Sequence, residues 1–316
     1  MEKAKKKSKM RRLVRNAFLI FLGIVLLVPT INFILTKYEK ATYKAPGELV
    51  EVDGKKMHVY SKGEGDHTIL LMPGLGTAAP VLDFEPLVDE LAKTNKIVVV
   101  EPFGYGWSDT TEEERSVENI VEELRTALKK SGNEGPYVLM PHSISGIYSM
   151  YYANTYPDEV EAVIGIDPTL PQMLDYFGET APKMPDYLRY LAPSGIARLA
   201  LAVTPEDFLP ITDEETYSAE NLKVTKAISV WNGYNNNVVA EANEIGANII
   251  KTKELNFASD LPVLIVTPEE DNETFYQSQL TQGKVVSLEG HHYLHWSQSK
   301  EMARKLNQFL EEFINK

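Results

Sequence analysis

Tyr137-Val138-Leu139-Met140-Pro141-His142-Ser143-Ile144-Ser145-Gly146 is the stretch on which the reading of the chain turns. An apolar run of strand length meets His142-Ser143, and a helical pattern opens at Ile144. A strand, a sharp turn tipped by serine, then a helix is how a hydroxyl is presented at the rim of a sheet. That hydroxyl is a weak nucleophile at neutral pH. It becomes useful only if a base takes its proton and backbone donors catch the oxyanion that forms.

Working outward, strand and helix patterns alternate from residue 48 onward. Strands fit Glu48–Val52, Met57–Ser61, Thr68–Met72, Lys96–Glu101, Tyr137–Pro141, Ala162–Asp167, Pro262–Thr267 and Lys284–Leu288, and helices fit about 82–93, 116–130, 144–156, 272–281 and 298–314. Ile97–Val100 and Val263–Val266 are continuously apolar, as strands covered on both faces are. Two early strands followed by strand–helix alternation predict an α/β fold with a mostly parallel eight-stranded sheet and an antiparallel start. The alternation stops between Thr169 and Asp260, 92 residues with six prolines and helical patterns at Ala219–Trp231 and Asn237–Lys251. A bare loop of that length is improbable, so the segment reads as a helical insertion between the sixth and seventh strands.

The partners a nucleophilic serine needs follow in order. Pro262–Asp271 is a buried-strand pattern ending in a loop with a carboxylate, and Leu288–His295 is a strand end followed by histidines. Histidine titrates close enough to neutrality to take and return a proton, and an acid can hold its tautomer. Ser…Asp…His is the chain order of a hydrolase triad.

Residues 48–316 resemble the α/β-hydrolase fold superfamily. Besides the serine turn, Leu70-Leu-Met-Pro-Gly74-Leu-Gly76 is similar to the loop that supplies an oxyanion donor. Glu101-Pro-Phe-Gly104-Tyr-Gly106-Trp-Ser108 resembles the family's Asp-x-x-Gly-x-Gly-x-Ser, with Glu101 in place of Asp. Tyr156–Asp167 resembles the approach to strand six, and Gly290-His-His292-Tyr-Leu-His295 resembles Gly-x-His-x-x-His. The resemblance implies Ser143 as nucleophile, His292 as base and Asp271, after strand seven, as acid. Asp167, after strand six, is the alternative acid, with Glu270 behind it. His291 and His295 are runners-up for the base and otherwise help line the site, while His142 points away from the serine. The backbone N–H groups of Leu75 and Ile144 would form the oxyanion hole. His58 and His67 read as plain structural residues. The family's Gly-x-Ser-x-Gly departs here to Pro141 and Ser145 at the outer positions, and Pro73 stands where the family often has His.

The same resemblance makes the protein a serine hydrolase, cleaving a carboxylic ester or related acyl bond through an acyl-enzyme. Other readings are a catalytically silent binding protein on this fold and an acyltransferase. Serine at the nucleophile position disfavours dehalogenases and epoxide hydrolases, which need Asp there. The insertion, 169–260, falls where the family places a helical cap. Its aromatics (Tyr176, Phe177, Tyr187, Tyr190, Phe208, Tyr217, Trp231 and Tyr234) read as packing within the cap or as an apolar acyl pocket.

Composition narrows the rest. No cysteine is present, which excludes disulfides, thiolate catalysis and cysteine metal sites. No HExxH accompanies the histidines, so neither metal nor cofactor is expected. Net charge is −13, which argues against nucleic acid as partner. Residues 1–16 carry eight Lys or Arg against Glu2, a net +7, leaving −20 on residues 17–316. Ala17–Thr36 carries no charge over 20 residues, about 30 Å of helix and one hydrocarbon thickness. Basic flanks stay cytoplasmic. The expected organisation is a cytoplasmic tail (1–16), a single transmembrane helix (17–36), a stalk (37–47), a hydrolase core (48–168 and 261–316) and the cap (169–260). The body would lie outside the cell membrane, acting on a small-molecule or lipid-like ester. The long apolar run and the lack of a small-x-small exit favour an anchor over a cleaved signal.

Overall fold

A computed structural model of the protein describes residues 2–205, 209–210, 216–268, 270–281 and 283–314. Eight strands form one sheet: β1 (Glu48–Val52), β2 (Lys55–Lys62), β3 (Thr68–Met72), β4 (Lys96–Glu101), β5 (Tyr137–Pro141), β6 (Val160–Ile166), β7 (Val263–Thr267) and β8 (Gly283–Ser287). Their order is β1-β2-β4-β3-β5-β6-β7-β8. β1 and β2 run antiparallel, and every pairing from β4–β3 onward is parallel. The central strands are buried along their length, as the unbroken Val/Ile/Leu runs require.

Helices cover both faces. In chain order they are α1 (Glu2–Thr42), α2 (Pro80–Asp83), α3 (Glu85–Leu91), α4 (Val117–Lys130), α5 (Ser145–Thr155), α6 (Met173–Phe177), α7 (Leu191–Ser194), α8 (Ile196–Val203), α9 (Ala219–Asn232), α10 (Asn236–Thr252), α11 (Glu270–Gln279), α12 (Leu294–Ser297) and α13 (Ser299–Phe313). α4, α5 and α11 pack with one face of the sheet in a core containing Leu70, Val98, Leu139 and Ile265. α3 and α13 close the other face over Ile69, Val99, Val138 and Leu264. α4 starts where Ser116 Oγ accepts from the Asn119 N–H, so the cap residue fixes that helix's entry.

Two helices depart most from their sequence expectations. The helix predicted over 82–93 is broken into α2 and α3, because Pro86 in the first turn of α3 has no N–H to continue the ladder from α2. α1 runs through both the basic tail and the first half of the expected stalk, since Lys37–Thr42 contains no glycine or proline to stop it. It is long and apolar enough to cross a membrane, the one such helix among the described residues. α6 to α10 all lie between β6 and β7.

Candidate active site

β5 ends at Pro141, paired with Met72, the last residue of β3. The chain then turns at Ser143, whose φ of 53° is the left-handed region that non-glycine residues rarely occupy. That strain persists because the surroundings hold it. The Ser143 N–H donates to Ile166 O (3.2 Å), and its carbonyl accepts from Gly146 N (2.9 Å) and Thr169 N (2.7 Å). Gly146 is required by close approach: a Cβ there would sit 2.6 Å from the Thr169 carbonyl and 2.8 Å from Pro168 Cβ.

The loop after β3 lies directly against this turn. A Cβ on Gly74 would come within 2.8 Å of His142 Nδ1 and 3.2 Å of Ser143 Cβ. Ser145 Oγ donates to the Pro73 carbonyl at 2.5 Å, so the residue that departs from the family pattern ties the two segments together. The backbone donors nearby are mostly taken: Gly76 N by Tyr105 Oη, Thr77 N by Gly74 O, Ser145 N by His142 O. The N–H groups of Leu75 and Ile144 make no hydrogen bond among the described residues. They are the pair that the resemblance singles out.

His292 stands beside the turn, with its ring centroid 4.8 Å from that of His142. Its Nδ1 lies 2.7 Å from Asp167 Oδ2. Among the described residues no hydrogen bond joins it to the Ser143 hydroxyl. Asp167, the alternative acid, is the carboxylate it meets among the described residues. β6 ends at Ile166, one residue sooner than expected, and Asp167 turns out of the sheet with φ 39°. Its other oxygen, Oδ1, accepts from Thr267 Oγ1 (2.9 Å) and Asn272 Nδ2 (3.3 Å), and lies 3.2 Å from Tyr276 Oη, whose one proton is shared with the nearer Pro168 carbonyl at 2.8 Å. β7 and α11 thus supply donors to an acid carried by β6. Asp271 and Glu270 lie in the first turn of α11, and their side chains fall outside the described residues.

The remaining histidines have separate partners. His142 is fully buried, and its Nε2–H donates to the His292 carbonyl (3.1 Å). Burial first, and then the neighbouring His295 and His292, hold its imidazole well below the usual range, so it is neutral. His295 is buried and paired through Nε2 with Asp83 Oδ2 at 2.7 Å, while Trp296 Nε1 donates to Asp83 Oδ1. His291 is exposed, and its Nδ1 accepts from Tyr293 N. His58 bonds Glu101, and His67 bonds Glu161. Glu101 also accepts from the N–H groups of Val81 and Trp107, which explains an acid at a fully buried strand end.

A cavity of about 300 Å³ adjoins the loop. Leu75, Gly76, Thr77, Tyr293 and Trp296 wall it from one side, Met184, Tyr234 and Val238 from the insertion. Of the insertion's other aromatics, Tyr217 donates to the Asp83 carbonyl and Trp231 Nε1 to Glu39. Tyr176 and Phe177 lie with their rings tilted against Phe275, Tyr187 and Tyr190 are exposed, and Phe208 lies outside the described residues.

Two acids escaped the sequence reading. Asp83 interrupts the apolar Val81-Leu82-Asp83-Phe84, and Glu241 interrupts Val238-Val239-Ala240-Glu241-Ala242. Each is a buried acid with hydrogen-bond partners. Glu241 accepts from Tyr105 Oη (2.7 Å) and Tyr148 Oη (2.8 Å), and its burial pushes its carboxyl up. A lone acid inside an apolar stretch was the available signal.

Residues 67–309 match the family model described as alpha/beta hydrolase fold. The chain is 31% identical to an uncharacterized Bacillus subtilis protein, YbdG, over 95% of this chain and 98% of that one. It is 30% identical to the human serine hydrolase BPHL, over 36% of this chain and 40% of that one. Among solved structures it is similar to the epoxide hydrolase VrEH1 from Vigna radiata, with TM-score 0.65 and 17% identity over 84% of this chain and 98% of that one.

Proposed function

Because the chain belongs to the alpha/beta hydrolase fold family, we propose that it is a serine hydrolase cleaving a carboxylic ester through an acyl-enzyme. The observation that carries this reading is the 2.7 Å contact of His292 Nδ1 with Asp167, beside a serine held at a positive φ. In this reading Asp167 keeps the His292 proton on Nδ1 and leaves Nε2 free to accept one. Ser143 Oγ attacks the ester carbonyl while His292 takes its proton. The tetrahedral oxyanion is held by the N–H groups of Leu75 and Ile144. His292 then protonates the departing alkoxide, leaving the acyl group on Ser143. A water, deprotonated by His292, attacks that carbonyl, and the acid leaves as Ser143 recovers its proton. Hydrogen bonds between base and nucleophile are often long or poorly aligned without substrate and tighten when it binds.

The fold likeness to epoxide hydrolases does not extend to their chemistry in this reading, because a serine occupies the turn. The helices between β6 and β7 would act as a cap, with the 300 Å³ cavity as the acyl pocket. α1 would span the cell membrane once, with the eight basic residues of 1–16 cytoplasmic and the body outside. A fluorophosphonate probe tests the chemistry. Full-length protein is expected to be labelled and to turn over short p-nitrophenyl esters, and Ser143→Ala to do neither. A folded wild type that is neither labelled nor active would be a binding protein. Acyl transfer to a non-water acceptor would make it a transferase.

A further inference from the structure

α1 does not simply leave the body behind; its outer third is docked on the helices between β6 and β7. Asn32, inside the uncharged run, is buried there: its Nδ2 donates to the Ala192 carbonyl at 2.9 Å, and its Oδ1 accepts from Arg198 Nε at 3.0 Å. The Arg198 guanidinium then forks onto Glu39, with Nη1–Oε1 at 2.6 Å and Nη2–Oε2 at 2.8 Å. Gly195, between α7 and α8, presses so closely on α1 that a Cβ would sit 3.1 Å from both Asn32 Cβ and Val28 Cγ1.

These contacts fix a depth. The uncharged run 17–36 is centred between residues 26 and 27. At about 1.5 Å per residue Asn32 lies roughly 8 Å beyond the centre and Glu39 roughly 19 Å, while the hydrocarbon half-thickness is about 15 Å. The α7–α8 turn, level with Val28 and Asn32, is therefore within the outer leaflet, and the Arg198–Glu39 pair is at its headgroup boundary. The side of α8 turned away from the body carries Ile196, Leu199 and Val203, exposed at 51%, 57% and 79%. Ala197 and Leu201 on its other side are buried. Tyr187 and Tyr190, each 66% exposed, precede it and supply the amphipathic rings that favour a membrane interface. An apolar stripe at that depth, backed by a spanning helix, has a bilayer as its natural cover.

We propose that the outer face of α8, with Tyr187 and Tyr190, is embedded in the interfacial layer of the membrane that α1 crosses, so that the cap is itself a monotopic membrane element. This rests on the reading of α1 as a spanning helix. The test exploits the absence of native cysteine. Leu26→Cys in α1, Leu199→Cys in α8 and Lys130→Cys at the end of α4 each carry a thiol-linked fluorophore on the full chain. The three proteins are reconstituted in phosphatidylcholine–phosphatidylglycerol vesicles containing nitroxide lipids, labelled either near the headgroup or near the chain end. The Leu199 probe is expected to lose at least about half its emission to the shallow nitroxide, the Leu26 probe to respond most to the deep one and the Lys130 probe to neither. Quenching at Leu26 with none at Leu199 overturns the proposal while leaving the span intact; a second copy or another protein seated on α8 would give that result. No quenching at either position overturns both. All three sites are surface positions, and unchanged thermal unfolding confirms that each variant is folded.

Discussion

Asp167→Asn separates the two acids that the sequence left open. In the wild type, Oδ1 receives donors from Thr267 and Asn272, with Tyr276 Oη beside it, and Oδ2 meets His292 Nδ1 at 2.7 Å. An asparagine keeps those donors satisfied only with its carbonyl oxygen at the Oδ1 position. Its NH2 then faces His292 Nδ1 and donates to it, so the ring proton moves to Nε2. The base is left in the wrong tautomer, with a proton where it must accept one. In a serine triad that error is worth about 10^3- to 10^4-fold in kcat, or about 4–5.5 kcal/mol of barrier. The substitution is nearly isosteric, so the fold is expected to survive. Hydrolysis of p-nitrophenyl acetate and the rate of fluorophosphonate labelling give the readout, with thermal unfolding as control. Asp271→Asn, made in parallel, is expected to change kcat by less than about tenfold. If Asp271→Asn lost more activity than Asp167→Asn, the assignment of the acid would be wrong.

Three further outcomes follow from the packing and the buried titratable groups. Gly146→Ala would drive a methyl against the Thr169 carbonyl and Pro168, and is expected to lower stability by about 1–3 kcal/mol in chemical denaturation; an unchanged midpoint would refute the close approach. His142 has a folded pKa held below its unfolded one, so its contribution to stability is present above about pH 6.5 and is lost as pH falls below that value; His142→Phe is expected to remove up to about 1.4 kcal/mol per pH unit from the acid slope, and an identical slope would refute the buried neutral ring. Glu241 is shifted the other way: its folded pKa is raised, so its favourable contribution exists below the unfolded carboxyl value and is lost as pH rises through the folded one. Glu241→Gln is therefore expected to gain thermal stability relative to wild type as pH rises from about 5 to about 8, and a pH-independent difference would refute this.

The strands were legible because their physics is local. Thr68–Met72, Lys96–Glu101 and Tyr137–Pro141 are apolar runs closed by proline, glycine or charge, and each forms over the residues its pattern marks. The serine turn was legible for the same reason: one strand, one turn and one helix are adjacent in sequence. The acid was not. β6 and β7 are neighbours, so a carboxylate at the end of either can reach the same imidazole. The groups around Asp167 come from residues 100, 105 and 109 positions away, beyond any local pattern. The roles of Asp83 and Glu241 were hidden likewise, because their partners His295, Tyr105 and Tyr148 lie on other elements. The docking of α1 was equally out of reach: Asn32 reads as a blemish in an apolar run until Ala192 and Arg198 are brought beside it.

The Ser145 hydroxyl on the Pro73 carbonyl has one more implication. The proposed donors, Leu75 and Ile144, belong to segments nearly seventy residues apart, and that short bond spans the seam between them, one step beyond the His142 N–H on the Met72 carbonyl. A site whose two halves breathe together keeps its spacing through thermal motion. Severing the bond would let the halves drift, and the penalty would fall on recognition of a tetrahedral oxygen more than on retention of a flat ester.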